Sequence, residues 1–251
     1  MLIDLYTISW NERRMLPYFL DHYGPWVDRI VAFDDGSDDG TAEAFARHPK
    51  VDLRPFPPKG RTFVGTALEL WQDVWKESRG RADWVVLTNI DEFHYHPSGM
   101  RHYLEACMAA GVTILHPRGY AMVGDAFPPP GDSLVESLRQ GVPMIGHDKR
   151  QVFDPDEIGE IRFGPGRHFC EPTGNVVEPS CPESVLLHYK YVDPHGYCLE
   201  RQKALARRLL PGDHERGFGA QYRLSDDVNL RSFAWLAMHA TDVVTRPAPR
   251  G

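Results

Sequence analysis

Ile30-Val31-Ala32-Phe33-Asp34-Asp35-Gly36-Ser37-Asp38-Asp39-Gly40-Thr41 is an apolar run that breaks abruptly into an acidic turn. The run Ile30 to Phe33 reads as a buried strand, because β-branched and aromatic residues follow one another without interruption. The turn is built from Gly, Asp and Ser, which bend the chain. A second junction of the same kind follows Trp84-Val85-Val86-Leu87, where the chain continues Asn89-Ile90-Asp91-Glu92. Carboxylates gathered at strand ends repel one another unless something positive joins them. In open α/β sheets, ligands bind outside the carboxyl ends of the strands. Both turns are expected at that edge, with a divalent cation and a phosphorylated ligand between them.

Outward from these turns, strands alternate with amphipathic helices. Strands are expected at Leu2 to Ser9, Arg29 to Phe33, Val51 to Phe56, Trp84 to Thr88 and Val112 to Leu115. Helices are expected at Arg13 to Tyr23, Thr41 to Arg47, Phe63 to Ser78 and Ser98 to Ala110, the last closed by Gly111. This order predicts an α/β fold with a mostly parallel central sheet flanked by helices. The order breaks near residue 120. Beyond it come a proline-rich loop at Ala126 to Gly131 and short extended pieces at Gln151 to Phe153, Glu160 to Phe163 and Val185 to Tyr191. A helix with a basic side is expected at Tyr197 to Leu210. The chain is read as one domain over 1–251: a ligand-binding half at 1–120, an irregular mixed half at 121–245 that completes the site, and a frayed tail at 246–251.

The chain has 251 residues, 42% hydrophobic and 25% charged, with a net charge of −7. It is long enough to bury a sizeable core. The acidic balance argues against a nucleic-acid partner. No apolar run reaches the ~18 residues of a membrane span, and Met1-Leu2-Ile3-Asp4 lacks the basic and apolar regions of a signal peptide. The expected compartment is the cytoplasm. The aromatic stretch Tyr18, Phe19, Tyr23 and Trp26 would touch a membrane or a partner only if its face were not buried. Cys107, Cys170, Cys181 and Cys198 form no C-x-x-C pair and read as reduced thiols.

At the second turn, Asp91 is placed to give a hard cation one oxygen ligand, with Asn89 adding a neutral oxygen or a ribose contact. The plain alternative is that these residues merely shape the turn. The first turn holds four carboxylates, more than a turn and a helix start require. The first strand ends in Ser9-Trp10-Asn11-Glu12, not G-x-G-x-x-G, and no G-x-x-x-x-G-K-[ST] occurs. A dinucleotide cofactor and a P-loop are therefore not expected. Phosphate must be neutralised by a metal and by basic side chains.

Asn11-Glu12 with Leu16-Pro17, the stretch Asp34 to Thr41, and Asn89-Ile90-Asp91-Glu92-Phe93 together resemble the N-E-x-x-x-L-P, D-D-G-S-x-D-G-T and D-x-D-E-F motifs of family 2 glycosyltransferases. The resemblance covers residues 1–120 well and the rest loosely. It implies a GT-A fold, a nucleotide-diphosphate sugar donor of UDP or GDP type, and Mn²⁺ or Mg²⁺. It places Ser9, Trp10, Asn11, Glu12, Asp35 and Asn89 near the nucleotide and makes Asp91 a metal ligand. The departure is Asn89, where the motif usually has aspartate. Leu186-Leu187-His188-Tyr189-Lys190 resembles the late strand that gives such enzymes a metal-binding histidine, which makes His188 the second ligand.

In the second half, Lys149, Arg150, Arg167 and His168 are candidates for the diphosphate or the acceptor. An inverting transfer to a hydroxyl needs a base while the diphosphate leaves. Asp148 and Glu171 are the candidates, with Asp125 a third. The acceptor would be a glycan, a lipid-linked saccharide or a small metabolite. His94 and His96 share a strand face and could make a zinc site with Asp91. Two other activities stay open: a sugar-phosphate nucleotidyltransferase, and a non-catalytic module that binds a sugar nucleotide or glycan.

Overall fold

The computed structural model describes residues 1–180 and 184–244. Its first sheet is built from β1 (Ile3–Ser9), β2 (Arg29–Asp34), β3 (Val51–Pro55) and β4 (Trp84–Leu87), edged by β8 (Val152–Phe153). The order is β3-β2-β1-β4-β8. The first four strands run parallel, and β8 pairs antiparallel with β4. Side chains alternate between two cores, as a period of two requires. Leu5, Ile30, Ala32, Trp84 and Val86 enter one apolar cluster, whereas Tyr6, Val31, Val85 and Leu87 enter the other. A sheet buried on both faces is why these strands read as unbroken apolar runs. The fold class expected from the sequence is present.

The intervening helices are α1 (Leu16–Tyr23), α2 (Thr41–Ala46), α3 (Phe63–Asp73) and α4 (Met100–Ala109). Pro17 sits in the first turn of α1, where no amide is needed. The Thr62 hydroxyl caps α3 by accepting from the Gly65 amide at 2.8 Å, and a 3₁₀ turn over Val74–Ser78 prolongs that helix. Gly111 stands at φ +72 just past α4, as a glycine at that helix end should. Tyr18, Phe19, Tyr23 and Trp26 are all buried, so this aromatic stretch belongs to the core.

The second sheet holds β5 (Glu92–Tyr95), β6 (Arg118–Gly124), β7 (Gln140–Pro143), β9 (Val185–Val192) and β10 (Thr241–Asp242). Its order is β10-β7-β6-β9-β5, with β6 and β9 parallel and the other neighbours antiparallel. The remaining helices are α5 (Leu134–Ser137), α6 (Leu199–Arg208), α7 (Pro211–Glu215) and α8 (Asp226–His239). No helix among the described residues is long and apolar enough to cross a membrane.

Two expected strands are not formed. Val112 to Leu115 makes one isolated bridge, Ile114 to Phe153, and the amides of Thr113 and Ile114 bond instead to Val177. Glu160 to Phe163 likewise holds a single bridge, Phe163 to Cys170. A neighbour of two residues, β8, is too short to extend a ladder. The tail at 246–251 lies outside the described residues.

Candidate active site

The strand order reverses between β1 and β4, and at such a switch point the loops on the two sides diverge and leave a crevice. Ser9 ends β1 and Asn89 lies just beyond β4, so both open on it. Two cavities occupy the crevice. The first, about 390 Å³, is lined by Ser9, Trp10, Glu12, Asn89, Arg208 and an apolar wall that includes Phe63, Leu68 and Trp71. The second, about 300 Å³, is lined by Asp91, His147, Lys149, His188, Lys190 and Arg201, among others. Asn89, Gly166, His168 and Arg201 line both, with Leu205, Gln221 and Tyr222, and mark the junction.

Asp91 and His188 meet through strand register. Glu92 of β5 pairs with His188 of β9, and the Tyr189 amide donates to the Asp91 carbonyl at 2.8 Å. His188 Nε2 therefore lies 3.3 Å from Asp91 Oδ2, although the residues are 97 positions apart. Arg201 Nη1 donates to the same oxygen at 2.9 Å, and its Nε donates to Glu12 at 3.0 Å. Asp193, at φ +49, accepts from the Gly196 and Tyr197 amides and so turns β9 into α6, which delivers Arg201. Burial works against ionisation of Asp91, but Arg201 and then His188 outweigh it and hold the carboxyl below its usual range. Glu12 goes the other way: burial raises it despite Arg201.

Glu92, read only as a neighbour of Asp91, is a central organiser. It is fully buried and ion-paired to both Lys149 and Arg167. It also accepts from Gln151 at 2.9 Å and from the backbone and side chain of Asn89, each at 3.1 Å. The departure at position 89 thus has a physical reason. The amide gives Glu92 a donor where an aspartate would set a second carboxylate against it. A signal was present: a glutamate in an apolar strand context is rarely buried without cations.

The four acids of the first turn divide their work. Asp34 accepts from Ser37, Asp39 from Thr41 and the Arg13 amide, and Asp38 from the Asn11 side chain at 2.7 Å. These three shape the turn and start α2. Asp35 is left to pair with cations, with Lys59 at 2.7 Å and with Arg208, which lines the first cavity. The Arg208 guanidinium lies 3.7 Å from the centre of the Trp10 ring. Arg201 and Arg208 are seven residues apart on α6, hence on one face, and each meets one acidic turn.

Of the expected nucleotide residues, Ser9, Trp10, Glu12 and Asn89 come together on the first cavity, and Asp35 reaches it through Arg208. Asn11 does not line it; at φ +51 it clamps the turn through Asp38 and Ser37. Lys149 and His168 line the second cavity, but Arg150 does not and pairs with Glu178 at 2.6 Å. Asp148, Glu171 and Asp125 line neither cavity. Asp148 accepts from the Gly119 amide at 2.6 Å, and Glu171 is exposed. The zinc arrangement is absent too. His94 is buried against Gln151, His96 bonds Ser98 and stacks on Tyr103, and no metal-binding group of three His, Cys, Asp or Glu occurs among the described residues. Cys107, Cys170 and Cys198 are free thiols, and Cys181 lies outside the described residues.

No protein-family profile and no curated protein sequence matches the chain. Solved structures overlap it in part. Mannosyl-3-phosphoglycerate synthase from Rubrobacter xylanophilus is 17% identical, over 55% of this chain and 45% of that one, with a TM-score of 0.34. Glucosyl-3-phosphoglycerate synthase from Mycobacterium tuberculosis, in complex with Mn²⁺, UDP and phosphoglyceric acid, is 19% identical over 66% and 61%, with a TM-score of 0.39. A 4-diphosphocytidyl-2C-methyl-D-erythritol synthase is 12% identical over 62% and 76%, with a TM-score of 0.33. The chain spans less than two-thirds of the length of the first two.

Proposed function

We propose that the chain is a single-domain, metal-dependent glycosyltransferase of GT-A type. It would move a sugar from a nucleotide-diphosphate donor to a hydroxyl acceptor, with inversion by direct displacement. The observation that carries this reading is the meeting of Asp91 and His188 at 3.3 Å on the switch-point crevice.

The donor set suits a divalent cation. Neighbouring ligands of an octahedral ion at ~2.1 Å stand about 3 Å apart, close to the spacing found. A carboxylate with an imidazole accommodates Mn²⁺ better than Mg²⁺, which prefers oxygen throughout. Asp91 and His188 would hold the ion, and diphosphate oxygens would complete its shell. Bound there, the metal supplies charge to stabilise the leaving diphosphate.

The chain's own residues do the rest. Trp10 and the apolar wall of the first cavity would receive the base, and Asp35 would accept its hydrogen bonds or those of the ribose, exchanging Arg208 for them. Arg201 and Arg167, both on the first cavity, would face the diphosphate; Arg167 keeps a buried Nε with no hydrogen-bond partner among the described residues. Proton removal falls to His168. Its Nδ1 lies 2.6 Å from the Gly146 carbonyl oxygen, which can only accept, so Nδ1 carries the proton and Nε2 keeps the lone pair. Burial and the charge of Lys149 lower its pKa, which keeps the ring neutral and able to take a proton.

Titration calorimetry with UDP, GDP, TDP and CMP, with and without Mn²⁺, tests the reading. Binding of one diphosphate that Mn²⁺ strengthens supports it. No binding of any nucleotide under either condition refutes it.

A further inference from the structure

Along β9 the side chains alternate, so that Leu187 and Tyr189 enter the core while His188 and Lys190 face the second cavity. The cations on that cavity are unequally provided for. Lys149 is bound to buried Glu92, and Arg201 is shared between Asp91 and Glu12. Lys190 has no such partner. Its ammonium lies 5.0 Å from the centre of the Tyr191 ring and donates to no acceptor among the described residues. The side chain is half-buried, so much of its hydration is lost without replacement, a cost that an oxyanion in the cavity would remove.

Position separates this lysine from the nucleoside-facing residues. The nucleoside-facing residues Trp10 and Arg208 line the first cavity only, and Asn89, Gly166, His168 and Arg201 form the junction where a diphosphate would lie. Lys190 lines the second cavity only, as do His147, Cys198, Gln202 and the two residues that would hold the metal, Asp91 and His188. The sugar end of the donor and the acceptor would meet there.

We propose that the acceptor carries a phosphate or carboxylate group, and that Lys190 in the second cavity is the cation that binds it. This rests on the glycosyl-transfer reading above. A neutral glycan hydroxyl would leave the ammonium without a counter-ion, whereas a small anionic hydroxy compound satisfies it and sets its hydroxyl toward the junction.

The experiment uses the full chain saturated with UDP and Mn²⁺, titrated with glycerol 3-phosphate, glycerate and glycerol. Expected is binding of the two anions but not of glycerol. Lys190→Gln should weaken the anions by about tenfold or more, the worth of one charge-assisted hydrogen bond, and leave UDP affinity unchanged. Lys190→Arg should retain most of the affinity. The side chain makes no hydrogen bond among the described residues, so both variants should melt with the wild type. Equal binding of the anions to Lys190→Gln, or no anion binding by the wild type, overturns the proposal. Parallel loss of UDP and anion in Lys190→Gln also overturns it, because Lys190 would then serve the donor. Failure of UDP, GDP, TDP and CMP alike to bind the wild type refutes the glycosyl-transfer reading instead; Lys190-dependent anion binding by the unloaded protein would survive that result.

Discussion

Replacing Glu92 with Gln should cost more stability than replacing any other residue of the crevice. The carboxylate is fully buried and is the counter-ion of two side chains, Lys149 and Arg167, that are each only 3% exposed. Gln keeps the shape but removes the charge, and its amide turns a donor toward the donors of Lys149, Arg167, Gln151 or Asn89. Breaking a buried pair by removing one partner costs about 3–5 kcal/mol. For a chain of this size, 1 kcal/mol shifts the melting temperature by about 2–4 °C. The expected drop is therefore about 6–20 °C, read by calorimetry or by circular dichroism with urea. The pH dependence gives an independent check. Burial alone would raise the Glu92 pKa, but Lys149 and then Arg167 hold it well below its ordinary value of 4.5. A carboxyl depressed in the folded state contributes fully above its unfolded value and loses that contribution as pH falls toward the folded one. The gap between wild type and Glu92→Gln should be widest near neutrality and should narrow below about pH 4. A variant that melts within about 2 °C of the wild type at pH 7 would refute the view that this carboxylate holds the crevice together.

Other perturbations separate the roles of neighbouring residues. Asn89→Asp restores the common motif but sets a carboxylate 3.1 Å from Glu92 Oε1; it should lose about 1–3 kcal/mol at pH 7 and recover as pH falls and one acid protonates, in urea titrations. Asp91→Asn should abolish the Mn²⁺-dependent part of nucleotide binding, a loss of about 100-fold or more by calorimetry. His168→Gln should lower kcat by about 10² or more with little change in nucleotide affinity. At Gly166, φ +69, an added Cβ would stand 2.6 Å from His168 Nε2. Gly166→Ala should therefore lower kcat and destabilise by about 1–2 kcal/mol, with both read on the same preparation.

The amino-acid order by itself determined the parallel sheet and the places where its strands end. Those features are local: an unbroken apolar run, a turn of Gly and Asp, and an amphipathic helix each announce themselves within about ten residues. Asp91 was legible on the same basis, since it sits just beyond such a strand end, whereas Ser9, Trp10 and His188 were singled out only by the resemblance to family 2 glycosyltransferases. What the residues' order left open is what each acid does. Asp34, Asp35, Asp38 and Asp39 look alike in sequence, yet only Asp35 meets cations from α3's approach and from α6, at Lys59 and Arg208. β5, β6 and α8 were not legible either. β5 and β6 are stabilised by pairing with a strand far along the chain, at Val185–Val192. α8 has no clear apolar stripe and leaves Trp235 and Met238 exposed. Tertiary structure alone decided that Glu92 is a buried hub of ion pairs, and that Asp148 and Glu171 fall outside the crevice. Charge pairing is a long-range property: Lys149 and Arg167 lie 57 and 75 residues from Glu92, and only the folded chain brings them together.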